Sequence, residues 1–208
     1  MIDEHDFCAD IGADHGKLVL FLGNKYKNST FLAVENKIGP FNILKNAVET
    51  HSFNKNVECS FSDGIEYLKD DTNTLIFAGM GGFNVIDIIK KDYKNLKNIR
   101  KIVICVNKKV AELLDFLFNL GFRVTKYDAV DDAGKIYMIF SLILIENKDN
   151  YSYTDSISYV KKALIEANLY EEYIKKLILN NEREQKSKIN ELDYEYSDAY
   201  LHNLLIKS

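Results

Sequence analysis

Apolar positions in the first 147 residues follow two alternating patterns. Short runs rich in apolar residues occupy 7–11, 30–34, 57–61, 74–78 and 102–106, and the central ones are almost continuously apolar. Runs of that length predict strands, and the unbroken apolar character of the central ones predicts a parallel sheet covered on both faces. Between them the spacing becomes helical. Helices are predicted over residues 17–23, over 41–51 with Phe41, Leu44, Ala47 and Val48 on one face, and over a short stretch at 64–68. Another carries Val85, Ile86, Ile88 and Ile89, and one over 110–120 ends at Gly121, a favourable residue just past a helix. This alternation predicts a doubly wound α/β domain.

The last two strand runs, 122–127 and 136–145, have no helix between them. Their link, residues 128–135, is rich in aspartate and reads as a loop. An antiparallel hairpin at one edge of the sheet follows. From about Tyr151 glycine and proline vanish, and Ile157, Val160, Leu164, Ala167, Ile174 and Ile178 recur every three or four residues. Ile189, Leu192, Tyr196, Ala199 and Leu204 repeat the pattern after a polar stretch. Two antiparallel helices are predicted. The division is therefore an α/β domain over residues 1–147 and a C-terminal α-helical hairpin over 148–208.

Composition narrows the function class. Hydrophobic residues make up 47% and charged residues 28% of the 208, which excludes a disordered chain. A net charge of −4 excludes a uniformly basic coat for nucleic acid. Locally, Lys90, Lys91, Lys94, Lys97, Arg100, Lys101, Lys108 and Lys109 face only Asp87 and Asp92. Lys108 and Lys109 follow the fifth strand, on the ligand side. Residues 90–100 are expected at the opposite end of the sheet, as a solvated face. The three cysteines lack a CxxC spacing and the four histidines are scattered, so neither a disulfide framework nor a metal site is expected. The acidic start, Met1 to Asp6, does not read as a signal peptide. The longest nearly apolar run, 136–145, is about half the roughly 20 residues a membrane helix needs. A reduced cytoplasmic protein without a membrane segment is expected.

Open α/β sheets bind ligands beyond the carboxyl ends of their strands. The first strand ends in Asp10-Ile-Gly-Ala-Asp-His-Gly16. Gly12 lets backbone approach a ligand, while two aspartates favour a cationic or hydroxyl-bearing group over a phosphate. No G-x-G-x-x-G occurs, which weighs against NAD. The second strand ends in Glu35, placed to accept from ribose hydroxyls, and the third in Ser62-Asp63-Gly64, placed for an adenine edge. The fourth ends in Ala78-Gly-Met-Gly-Gly82. Its three glycines read as backbone brought close to a ligand rather than as packing, with Met80 as an adaptable apolar surface. A single acidic residue after a strand is more often a helix cap. Four such features in order point to a nucleoside-type ligand.

The final antiparallel strand is the pattern of class I methyltransferases. More specifically, Asp10-Ile-Gly-x-Asp14-His15, Gly39-Pro40-Phe41, Asp63-Gly64, Ala78-Gly-Met-Gly-Gly82 and Gly134-Lys135-x-Tyr137 resemble the bacterial tRNA (adenine-22-N1)-methyltransferase family. The likeness covers nearly the whole chain. It implies a Rossmann-like class I fold, S-adenosylmethionine as cofactor, tRNA as partner, and methylation of N1 of an adenine in the D-arm region. It implies cofactor contacts from Asp10, Gly12, Ala13, Glu35, Asn36, Asp63, Gly64, Gly79 and Met80. Asp14 falls on the family's catalytic carboxylate, and His15, Asn107 and Lys108 on its substrate side. The family carries a segment before the first strand that this chain lacks. Its Gln-Pro-Asn after the fifth strand is Cys105-Val106-Asn107 here, and Met138 follows Tyr137 where glutamate is frequent. The competing readings are a methyltransferase acting on another RNA or a small molecule, and a non-catalytic protein that binds S-adenosylmethionine or RNA.

Overall fold

The computed structural model describes residues 1–50, 55–145 and 151–187, with side chains described as far as residue 180. Seven strands form one sheet in the order β3-β2-β1-β4-β5-β7-β6. They are β1 (Phe7–Ile11), β2 (Thr30–Glu35), β3 (Val57–Phe61), β4 (Thr74–Ala78), β5 (Lys101–Val106), β6 (Phe122–Asp132) and β7 (Lys135–Leu144). The first five are parallel, and β7 lies antiparallel between β5 and β6. The helices are α1 (Lys17–Lys25), α2 (Ile38–Thr50), α3 (Gly82–Lys91), α4 (Val110–Asn119), α5 (Tyr153–Glu166) and α6 (Tyr170–Ser187).

Strand residues alternate between two cores because successive side chains point to opposite faces. Cys8, Phe31, Ala33, Ile76 and Val103 pack with Val19 and Leu22 of α1 and Leu44 of α2. Ala9, Ile11, Leu32, Val34, Leu75, Phe77, Ile102 and Ile104 pack with Val85 and Ile89 of α3, Leu113, Leu114 and Leu117 of α4, and Val160 and Leu164 of α5. Burial of each large aliphatic side chain contributes roughly 1.5–3 kcal/mol, so both layers hold the sheet rigid beneath its loops. The predicted doubly wound sheet with an antiparallel last strand is present.

Three predicted details differ. Residues 64–67 form turns, and the predicted helix over 64–68 is absent. Gly64 takes φ 59°, and the Asn95 amide donates to the carbonyls of Ile65 (2.8 Å) and Glu66 (3.0 Å) that a helix would have used. The aspartate-rich link 128–135 is mostly strand: Asp132 pairs with Lys135 across Ala133 and Gly134. These two residues have φ 49° and 83°. Positive φ at both central positions gives the tight turn whose twist matches its flanking strands. The periodic run 157–178, read as one helix, is two. Asn168 at φ 57° ends α5, with the Leu169 N–H reaching the Leu164 carbonyl at 2.8 Å. Asparagine stands here where glycine usually closes a helix. The predicted second helical run, 189–204, lies outside the described residues.

Candidate active site

Residues 12–16 turn sharply between β1 and α1. The N–H groups of Gly12 and Ala13 both donate to the Val34 carbonyl at 2.9 Å, which ties the turn to β2. Asp14 sits at φ 51°, a conformation costing of order 1–3 kcal/mol outside glycine. Its N–H donates to Glu35 Oε2 at 3.0 Å, while Glu35 Oε1 accepts from the Lys37 N–H at 2.8 Å. Glu35 is buried, so the carboxylate at the end of β2 clamps the strained residue of the neighbouring turn. The exposed Asp14 side chain lies against His15, with Oδ2 and Nδ1 3.0 Å apart.

A cavity of about 210 Å³ opens over the ends of β1 and β4, lined by Asp10, Gly12, Ala13, Asp14, His15, Lys17, Leu18 and Ala78. Asp10 at its base is 3% exposed. Burial alone pushes its carboxyl up to about 7, because desolvation penalises the charged form. The turn after β4 reaches across: Met80 Cε lies 2.9 Å from where a Cβ on Gly12 would stand. Gly12 therefore provides room for the Met80 methyl group.

Glu35, Asn36, Asp63 and Gly64 lie on the β2–β3 side of the cavity. Asn36 donates to Asp63 Oδ1 at 2.8 Å and Lys91 to Asp63 Oδ2 at 2.7 Å. The Lys91 ammonium and then the Asn36 amide hold the Asp63 carboxyl below its ordinary range. Lys91 is thus not at the far end of the sheet, because its side chain reaches a carboxylate at the ligand end. The rest of the basic window is also dispersed. Lys101 is only 12% exposed and pairs with Asp3 and Asp6 at 2.6 and 2.7 Å.

On the other side, beyond β4 and β5, Gly79 donates to the Cys105 carbonyl at 3.0 Å and Gly82 to the Lys108 carbonyl at 2.9 Å. A Cβ on Gly82 would stand 2.2 Å from the Lys109 carbonyl oxygen. Contrary to the sequence reading, this glycine is needed for packing. Gly81 has no atom within 4 Å of such a Cβ and remains free for a ligand. Asn107 and Lys108 follow β5 in this loop, and Lys108 is exposed. The cavity itself takes Asp10, Gly12, Ala13, Asp14 and His15 from the predicted set. Glu35, Asn36, Asp63, Gly64, Gly79, Met80, Asn107 and Lys108 are arranged around it rather than lining it. Sequence reasoning missed Lys17 and Leu18, whose signal is their place at the start of the helix after a glycine turn. It also missed Lys91, which shows no local signal.

A family profile described as "Methyltransferase domain" matches residues 1–140. The chain belongs to this methyltransferase family. No curated protein matches it. Among solved structures, this methyltransferase is similar to TrmK of M. capricolum in complex with S-adenosyl-homocysteine. The identity is 19%, covering 98% of this chain and 91% of that one, with a TM-score of 0.75. It is also similar to the B. subtilis m1A22 tRNA methyltransferase TrmK at 20% identity, covering 97% and 91%, with a TM-score of 0.72. Magnesium protoporphyrin IX methyltransferase of Synechocystis, with bound SAM, matches less of the methyltransferase: 12% identity, 68% and 71% coverage, and a TM-score of 0.56. Among the described residues, no helix is long and apolar enough to cross a membrane. Among them too, no cluster of His, Cys, Asp and Glu could hold a metal ion.

Proposed function

We propose that this methyltransferase transfers a methyl group from S-adenosylmethionine to N1 of an adenine in the D-arm region of tRNA, in the cytoplasm. The observation that carries the reading is Asp14: an exposed carboxylate at the mouth of the cavity, on a strained backbone clamped by Glu35. The two TrmK structures support the substrate, since one is described as an m1A22 tRNA methyltransferase. Residues 1–147 form the catalytic domain in this reading and 148–208 an appended unit, helical over its described residues 153–166 and 170–187.

The chain fits the cofactor. A buried carboxyl at Asp10, raised by desolvation, suits a cationic amino group brought against it. Glu35 and Asn36 would hold the ribose, and Asp63 with Gly64 the adenine. Gly12, Ala13, Gly79 and Met80 would flank the methionine moiety and methyl group. When bound, the cofactor supplies an electrophilic methyl on a sulfonium. Adenine N1 has a free lone pair, so no base must deprotonate it first. Methylation leaves the base cationic. Asp14 accepts a hydrogen bond from the N6 amine, stabilising charge that develops only in the transition state. His15 orients that carboxylate. The target atom lies on the pairing edge, so the base must be unpaired or flipped. Asn107 and Lys108 meet the substrate from the end of β5.

Labelled S-adenosylmethionine incubated with an unmodified tRNA transcript, and with total small metabolites in parallel, tests the reading. Label should enter the RNA, and Asp14→Ala should lower kcat roughly 10² to 10⁴-fold while cofactor affinity holds. Label confined to small molecules overturns the substrate. Absence of cofactor binding overturns the enzyme itself.

A further inference from the structure

We infer that Phe83 is a stacking platform for an unpaired nucleobase of the RNA substrate, with Lys109 beside it for the phosphate of the same strand. The inference rests on the RNA reading above and adds a positioning element to it. Phe83 follows the glycine turn after β4, five residues beyond Ala78 in the cavity wall. It is 50% exposed, while its helix buries Val85, Ile86 and Ile89. A phenylalanine ring half in water contributes little to the core.

The ring is also held in place. Gly82 donates to the Lys108 carbonyl at 2.9 Å and leaves no room for a side chain against Lys109, so the backbone entering Phe83 is locked to the β5–α4 loop. Lys109 caps α4 at φ 57° and sets its ammonium over one face of the Phe83 ring, 5.2 Å from the centroid, with Glu112 Oε1 at 3.2 Å, so the base stacks on the other face. Lys108, next to it, is exposed. Phe83 and these lysines lie over β4 and β5, on the opposite side of the cavity from Glu35 and Asp63. The nucleoside end of the cofactor belongs with those carboxylates, which leaves the β4–β5 side to the methyl acceptor.

An adenine leaving its stack loses contact with its neighbours on both faces, and an aromatic ring restores one of them. Every nucleobase presents a π-face, so one fixed ring serves the target base or the base beside it. Single-stranded sites pair such rings with cations that follow the backbone, as Phe83 and Lys109 do here.

The test uses the full chain and a single-stranded oligoribonucleotide with 2-aminopurine at the adenine to be methylated or at either neighbour. Stacking quenches this fluorophore. Wild-type protein should quench one position, and Phe83→Leu should abolish the quench and lower kcat/KM for tRNA roughly 5- to 150-fold. S-adenosylmethionine affinity and Tm should hold, and Phe83→Tyr and Phe83→Trp should keep the quench. Lys109→Ala should reduce the salt slope of RNA binding by about one. The inference is overturned if Phe83→Leu matches wild type in quench and kcat/KM, or if it alters only self-association, which would make the ring a protein contact. Methylated RNA with an unaffected Phe83→Leu variant sinks the platform alone. A Phe83-dependent quench with no methyl transfer sinks the tRNA reaction alone. A Phe83→Leu chain that fails to fold leaves the Tyr and Trp variants as arbiters, and loss of the quench in both would refute stacking.

Discussion

Among the site residues, Asp10 is the one whose ionisation the fold changes most. An aspartate carboxyl ordinarily ionises near 3.8, and burial raises this one to about 7. Between those values the folded chain holds a proton that the unfolded chain has released. Its stabilising contribution is fully present below about pH 4, is lost as pH rises through about 7, and is constant above that. Ligand-free wild type should therefore lose Tm between pH 5 and pH 8 relative to Asp10→Asn, whose side chain does not titrate. Parallel Tm curves for the two proteins would show that Asp10 is not desolvated as described. The functional counterpart has the opposite sign. A cationic group brought against Asp10 requires the ionised form, so S-adenosylmethionine should bind more tightly at pH 8 than at pH 6. Asp10→Asn should bind weakly at both. The sequence already singles out Asp10 by its place at the end of an apolar strand. Its raised ionisation arises from packing and is not visible in the residue string.

At the scale of elements, the turn between β4 and α3 decides how the site is built. Four residues, Gly79 to Gly82, look alike in the sequence apart from Met80. The structure gives each glycine a different task. Gly79 takes φ 79°, Gly81 faces open space, and Gly82 packs against the Lys109 carbonyl. Adding a methyl group to Gly82 forces the β5–α4 loop to move, at a cost of about 1–3 kcal/mol or more. Gly82→Ala should thus lower Tm by roughly 5 °C, while Gly81→Ala should leave it within about a degree. A thermal melt of both variants checks this, and equal Tm values would contradict the packing described. If Gly81→Ala keeps its Tm and loses methyl transfer, the loss reports the close approach of a ligand to that backbone. The other misread elements share a physical cause. The aspartates at 128–132 resemble a loop by composition, but pairing with β7 overrides local preference. Asn168 breaks the helical run through a left-handed turn, which asparagine adopts more readily than most residues other than glycine.

For the whole molecule, the sheet and its ligand-bearing edge were readable because each strand carries its own signal in a contiguous apolar run. The order of β6 and β7 relative to β5 was not, since pairing depends on partners far along the chain. Electrostatics follow the same rule. The basic window reads as a strong positive patch, yet Lys101 is neutralised by Asp3 and Asp6, and Lys91 by Asp63. Those pairings join residues dozens of positions apart. Of this window, Lys108 and part of Lys109 remain exposed beside the cavity, and Lys17 in the cavity wall is exposed as well, a small cationic surface on an acidic protein. RNA affinity should accordingly be modest, with a shallow salt slope of about one per lysine engaged.

The most direct measurement is primer extension on an unmodified tRNA transcript after incubation with the protein and S-adenosylmethionine. A methyl group on N1 blocks the pairing edge, so reverse transcriptase should stop beside one adenine in the D-arm region. The stop should vanish when Asp14→Ala replaces the wild type. Methyl label recovered in the RNA without such a stop would place the methyl elsewhere and contradict the account. So would a stop of full strength with Asp14→Ala.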